Sequence, residues 1–440
     1  MRTKLPLLCL LLALLPSAAV AQSFRGELTT RYRDRWGSSD WADEDVYTYL
    51  RMSFGQDSWG YYGESQKGVS GAVSVRWDDD LLSRRNEIND GQNQFRVYYA
   101  YVDLDQIDHL DLRLGRQYLD EAEGFSLTGL KGIYSLPWKH MRLGLFAGQP
   151  VSHYTAITSD ERAGGLTWSI HPQDRSLLRG SWIHLEEKAV DNDVVTLAYR
   201  QAFAQGSNLY VTARTLNFDI FNEVVGGSWH IDRANLLLTG NYRRQEETND
   251  SSSNYFGDLS TVIGPSRPYQ QITLDLSKPL AEVATVGVGY SRRSLLQGNG
   301  ENRGNQEFNR YFADLFLTEK ALRGFNASLD FSRWETDRDS SSTLAGSLGH
   351  RFFDERLRLD VGSFYAKYDL QRTFDILDQV PKERYDVRSH YLRAEWRVRK
   401  SYRVRVDLDR TTDSTSDTAY YEAELRFGLD LGFLGKGSKR

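Results

Sequence analysis

Strict alternation of apolar and charged residues over long runs limits this chain most, and it is clearest near the C-terminus. In residues 391–399, Leu392, Ala394, Trp396 and Val398 share one parity, and Arg393, Glu395, Arg397 and Arg399 the other. In 402–409, Tyr402, Val404, Val406 and Leu408 oppose Arg403, Arg405, Asp407 and Asp409. In 421–433, Tyr421, Ala423, Leu425, Phe427, Leu429, Leu431 and Phe433 oppose Glu422, Glu424, Arg426, Gly428 and Asp430. A helix scatters such sets around its circumference, whereas a strand sends them to opposite faces. A soluble sandwich with one wet face shows the same alternation. Length separates the two, because soluble strands run about 5–6 residues and tilted membrane strands about 9–11. These runs are of the longer kind, which fits lipid on one side and water on the other.

The pattern can be followed through the chain as about 22 strands, within a range of roughly 18–24. They begin near Phe24, Asp45, Ser70, Gln94, Leu110, Gly129, His140, Arg162, Ser176, Asp193, Ser207, Glu223, Ala234, Tyr269, Val283, Gln306, Leu322, Thr343, Arg356, Glu383, Tyr402 and Thr418. Every second connection is very short: 106–109, 137–139, 172–175, 204–206, 232–233, 279–282, 319–321, 353–355 and 400–401. The intervening ones are often longer, as at 79–93, 150–161, 247–268, 295–305 and 371–382. Membrane barrels have short periplasmic turns and longer external loops, and an even strand count puts the short set beside both termini. Residues 56–69 break the rule and leave room for a missed strand pair or a bulge. The expected fold is all-β: a transmembrane, antiparallel, up-and-down β-barrel with no plug domain, strand one starting close to Gln22.

The first residues set the compartment. Arg2 and Lys4 precede an apolar stretch from Leu5 to Leu15, broken by Pro16, and Ala19-Val20-Ala21 is a small-x-small cleavage site. Residues 1–21 read as a signal peptide and 22–440 as the barrel. The apolar stretch falls short of the roughly 20 residues of a spanning helix. The only cysteine, Cys9, lies within the leader, which excludes disulfides, cysteine metal sites and covalent haem from the mature chain. Loss of Arg2 and Lys4 takes the formal charge from -5 to -7, a balance that argues against nucleic acid as a partner. Tyrosine (25), phenylalanine (20) and tryptophan (10) are abundant, which suits strands and interfacial girdles. Arginine outnumbers lysine 43 to 12, as a wall cross-linked by bidentate carboxylate pairs requires.

Catalytic signals are weak. The histidines His109, His140, His153, His171, His184, His230, His350 and His390 have no metal-ligand spacing, and no Gly-x-Ser-x-Gly elbow is present. Gly164-Gly165 and Gly226-Gly227 lie within strands, where they relieve crowding or bend the sheet rather than bind phosphate. Asp78-Asp79-Asp80 reads as a solvated loop face, with a divalent-cation site as the lesser alternative. No enzyme activity and no cofactor on this chain are expected.

Leu112-Arg113-Leu114-Gly115-Arg116-Gln117-Tyr118 resembles the Leu-Gly-Arg-Gln strand end of bacterial porins, and Asp120, Glu121 and Glu123 follow it. In porin-like proteins such a loop folds inward and narrows the lumen; an ordinary external loop is the equal alternative. Acids there, facing lumen arginines, would set up a transverse field. The pore-lining candidates are Arg96, Arg113, Arg116, Asp120, Glu121, Glu123, Arg393, Glu395, Arg397, Arg403, Arg405, Asp407, Glu422, Glu424 and Arg426. Residues 254–279, with Tyr-Phe-Gly-Asp-Leu, Ile263-Gly264-Pro265, Arg267-Pro268-Tyr269 and Ser277-Lys278-Pro279, lead into Gln306-Glu307-Phe308-Asn309-Arg310-Tyr311. This part resembles the barrel subunits of porin-cytochrome conduits, although the Cys-x-x-Cys of some members is lacking. The resemblance implies a sheath in the outer membrane around a multihaem c-type cytochrome that carries the electrons. The alternative is a general or selective porin for small polar or ionic solutes. Either way the expected partners are outer-membrane lipid, lipopolysaccharide and the barrel-assembly machinery. An outer-membrane lipid hydrolase is the least favoured reading.

Overall fold

Long alternating strands satisfy their backbone hydrogen bonds in lipid only by pairing side by side until the last meets the first. That closed arrangement is present in a computed structural model of the protein, which describes residues 23–37, 42–55, 68–83, 94–122, 125–151, 161–187, 190–246, 268–296, 307–337, 339–371, 382–399, 401–414 and 419–434. The strands are β1 (Ser23–Gly37), β2 (Ala42–Phe54), β3 (Gly68–Ser83), β4 (Gln94–Ile107), β5 (Leu110–Leu119), β6 (Phe125–Leu136), β7 (Met141–Pro150), β8 (Arg162–Ile170), β9 (Ser176–Glu187), β10 (Val190–Ala202) and β11 (Asn208–Leu216). They continue as β12 (Asp219–Ile231), β13 (Leu236–Gln245), β14 (Tyr269–Leu280), β15 (Ala284–Leu295), β16 (Phe308–Leu322), β17 (Phe325–Glu335), β18 (Ser340–Phe352), β19 (Leu357–Gln371), β20 (Lys382–Arg399), β21 (Tyr402–Asp413) and β22 (Ala419–Leu434). Each pairs antiparallel with its neighbour, and β1 pairs with β22 from Ser23↔Leu434 to Gly37↔Tyr420, closing a 22-stranded barrel.

Strand lengths run from 9 residues in β8 and β11 to 18 in β20, the span a tilted membrane strand needs. The expected strands correspond one to one with those observed. The largest displacements are β6, which begins at Phe125 rather than Gly129, and β12, at Asp219 rather than Glu223. No strand from the long connection after β2 enters the sheet between its flanks, because β2 pairs directly with β3 from Phe54↔Gly71 to Asp43↔Ser83. One segment expected as a loop is strand. Asp78, Asp79 and Asp80 belong to β3, where Asp78 pairs with Arg76 two residues away on the same face. Ser340, Ser341 and Ser342 open β18 and pair with β17 and β19. Residues 1–21, read from the sequence as a signal peptide, and residues 251–267 lie outside the described residues.

Ser23 and Leu434, the outer ends of β1 and β22, share one rim with tight turns. Asp108 and His109 have φ of 49° and 70°, and Arg323 and Gly324 of 53° and 97°, the left-handed pairs that match the twist of flanking strands. The outward face is apolar: Leu114, Leu145, Leu274, Leu392 and Leu425 are all exposed on it. Near the other rim Trp36 stacks on Tyr421, centroids 5.5 Å apart. An apolar outer face this continuous is stable only against lipid.

The inward face is identified by convergence. Leu119, Leu127, Phe146, Ala163, Ile183, Leu185, Val194, Leu216 and Phe221, contributed by successive strands from β5 to β12, meet in one buried cluster. Side chains from so many neighbouring strands converge only on the concave side of a curved sheet.

Candidate functional site

The inward cluster has a cause in the connection after β5. The 3-10 turn Asp120–Ala122 does not stand out from the rim but packs against β8 and β9. Leu119 is 1% exposed and Ala122 0%, both within the apolar cluster. Three glycines opposite one another across β5, β6 and β7, Gly115, Gly129 and Gly148, form the wall beneath it. There the strands approach more closely than side chains allow. A Cβ on Gly129 would fall 2.1 Å from the Ala147 carbonyl oxygen, and one on Gly148 2.3 Å from that of Thr128. Gly115 is left-handed, with φ of 127°. Gln117, fully buried beside the turn, donates to the Gly129 carbonyl at 3.3 Å. The described turn therefore lies inward, one of the two arrangements its sequence allowed.

Asp120 is exposed on this turn. Glu121 belongs to the same turn, and Glu123 lies outside the described residues. Arg113 faces inward from β5, where it donates from Nε and Nη2 to the two carboxylate oxygens of Asp103 at 2.6 and 3.0 Å. The same guanidinium lies 3.9 Å from the centre of the Tyr101 ring. Arg96 pairs opposite Arg76 on the inward face. Arg116 differs from its sequence reading as a lining residue. It shares the outward parity of Leu114 and Tyr118, and it is held there by bonds to the Thr128 hydroxyl at 3.3 Å and the Val97 carbonyl at 2.7 Å.

Arg393, Glu395, Arg397, Arg403, Arg405, Asp407, Glu422, Glu424 and Arg426 all share the inward parity of β20, β21 and β22. Their pairing sets both opposite and like charges across from one another. Asp407 stands opposite Glu424, and Arg405 opposite Arg426, which in turn stands opposite Arg31. Opposite charges also stand directly opposite, Arg393 across from Asp407, Glu395 from Arg405, Arg33 from Glu424 and Arg35 from Glu422, so neutralisation runs both across and along the strands. Arg405 and Arg393 both donate to Asp407, at 2.7 and 2.6 Å, while Arg426 and Arg31 both pair with Glu424. Glu424 is only 3% exposed, and Arg403 reaches Asp430 at 3.2 Å.

The first three strands extend this network beyond the residues expected from the sequence. Arg33 pairs with Glu422 at 3.4 Å, Arg35 with Asp43 and with Asp45 at 3.2 Å, and Arg76 with Asp78. The Tyr47 ring lies under Arg31, Arg33 and Arg76 at 5.7, 5.6 and 4.8 Å. The signal was present in the spacing Arg31-x-Arg33-x-Arg35, the same alternation already evident at the other end of the chain. Among the described residues no His, Cys, Asp and Glu side chains gather into a group able to hold a metal ion. The arrangement places fixed charge along the inner wall, together with a buried apolar cluster beside the turn after β5.

No family model matches the chain, and no curated protein matches it. Solved structures do match. The P pilus usher PapC translocation pore superposes with a TM-score of 0.50 at 9% identity, over 92% of this chain and 99% of that one. OccAB3 of Acinetobacter baumannii gives 0.48 at 11% identity over 93% and 99%, and the outer membrane protein OpdK of Pseudomonas aeruginosa 0.46 at 10% over 93% and 99%. The likeness is one of fold, a large antiparallel barrel matched almost end to end.

Proposed function

We propose that this chain is a porin-like channel of the bacterial outer membrane, without enzymatic activity, that passes small polar or ionic solutes. Its bore is reduced by the in-folded turn after β5. The burial of Leu119 and Ala122 against the inner wall carries this reading, because it narrows the path with a segment of the chain itself. The paired charges lining β20 to β5 keep the remaining path hydrated, and Asp120 is exposed on the turn. The rival arrangement, a lumen filled by a multihaem cytochrome, makes the chain an insulating sheath.

Planar-bilayer recording of the purified barrel separates the two. A channel gives steady single-channel conductance, and Ala122→Asp, which places a charge in the apolar cluster, raises that conductance by dislodging the turn. Asp120→Asn shifts ion selectivity without enlarging the pore. Co-purification of a haem protein with the native barrel, or unchanged conductance in a folded Ala122→Asp variant, overturns the channel reading as stated.

A further inference from the structure

The inward charges are unevenly compensated. From β20 through β22 to β5 most of the arginines just described have a carboxylate partner. Between β13 and β16 the pattern reverses. Arg243, Gln271 and Arg293 form one row, each opposite the next across β13, β14 and β15. Arg310 on β16 stands opposite Ser291, one inward position further from the loop rim. Among the described residues, none of these three arginines has a carboxylate within the 4.0 Å of an ion pair. The nearest inward carboxylates on these strands, Asp275 and Asp314, are four residues from Gln271 and Arg310, about 13 Å along the strand.

The central arginine is already oriented. Arg293 donates from Nε and Nη2 to Gln271 Oε1 at 3.1 and 2.9 Å. Gln271 is itself anchored by donating from Nε2 to Ser291 Oγ at 3.2 Å. The guanidinium lies over the rings of Tyr269 and Phe308, 4.3 and 5.1 Å from their centres. A neutral amide positions the guanidinium without cancelling its charge, and it engages only part of the five-donor fork. Flat apolar surface adjoins it, because Phe308 neighbours Trp334 at 6.0 Å. A held guanidinium with uncommitted donors, two further uncompensated cations and adjoining aromatic faces matches one chemistry: a carboxylate carried on a flat skeleton.

We propose that the inward surface of β13–β16 near the loop rim is a binding subsite for planar organic carboxylates. Its role in passage rests on the channel reading, but binding itself requires no conduction. The test is calorimetric titration of the full-length barrel, folded in detergent, with sodium benzoate and with its neutral isostere benzamide. Benzoate binds, and benzamide binds at least about tenfold more weakly because it lacks the charge-assisted bonds. Arg293→Gln weakens benzoate by about tenfold or more, whereas Arg200→Gln, on β10 toward the opposite rim, leaves it unchanged. Heat-dependent gel mobility establishes that each variant is folded. If Arg293→Gln fails that check, the double variant Arg243→Gln/Arg310→Gln takes its place. Equal binding of benzoate and benzamide, no benzoate binding, or full affinity in a folded arginine variant overturns the subsite. A barrel that binds benzoate but conducts nothing overturns the channel and leaves the subsite standing. One that conducts but ignores benzoate does the reverse.

Discussion

Glu424 and Leu425 are adjacent in the chain and face different solvents. Leu425 is 45% exposed on the outward face, whereas Glu424 is 3% exposed and held between Arg31 and Arg426. An arginine at position 425 must therefore enter lipid, and Leu425→Arg should cost about 2–4 kcal/mol in folding into bilayers. Glu424→Gln should cost less, about 1–3 kcal/mol, as two arginines lose a charged partner at the edge of water. Equal urea midpoints for the two variants in lipid vesicles would contradict the assignment of faces. Turn residues give a cleaner local case. Ala281 adopts φ of 50° in the turn between β14 and β15, a conformation that costs a non-glycine residue about 1–2 kcal/mol. Ala281→Gly is accordingly expected to stabilise the barrel by roughly 1 kcal/mol, after the extra freedom of glycine in the unfolded chain is offset. The same vesicle denaturation measures it.

At the scale of elements, a strand shows its faces in its own sequence but not its relation to its neighbours. The parity of β20, β21 and β22 was readable because period two is local. The pairing of their charges was not, since it depends on Asp407 standing opposite Arg393 on one side and Glu424 on the other. Register arises from the hairpin turns and the closure of the whole sheet. The glycine row across β5, β6 and β7 is similar: no glycine in it stands out alone, and the need for each appears only when three strands are aligned. Gly129→Val is expected to cost about 3 kcal/mol or more, because a side chain 2.1 Å from the Ala147 oxygen forces β6 and β7 apart. The accompanying sign is a larger single-channel conductance as the in-folded turn loses its bed; a stable variant with native conductance would contradict it.

At the scale of the molecule, closure is the structural commitment. Both rims are continuous only because β1 and β22 pair along their whole lengths. Deletion of residues 419–434 would leave β1 and β21 as bare edges in lipid, each with a row of unsatisfied backbone groups. Such a truncation is expected to lose the compact, heat-sensitive gel mobility of the intact barrel altogether. Partial retention would mean that β1 and β21 re-pair into a smaller cylinder.

The alternation of apolar and charged residues, read alone, determined the strand number, the sidedness of each strand and the short turns beside the termini, because those properties depend on residues one or two positions apart. Tertiary structure decided the rest. It turned the segment after Leu119 inward, sent Arg116 to the outer face, set Asp407 between Arg393 and Glu424, and, among the described residues, left Arg243, Arg293 and Arg310 without a carboxylate in ion-pair range. Each of these depends on curvature and register among strands distant in sequence, where the energy of a side chain is set by what the closed sheet places opposite it.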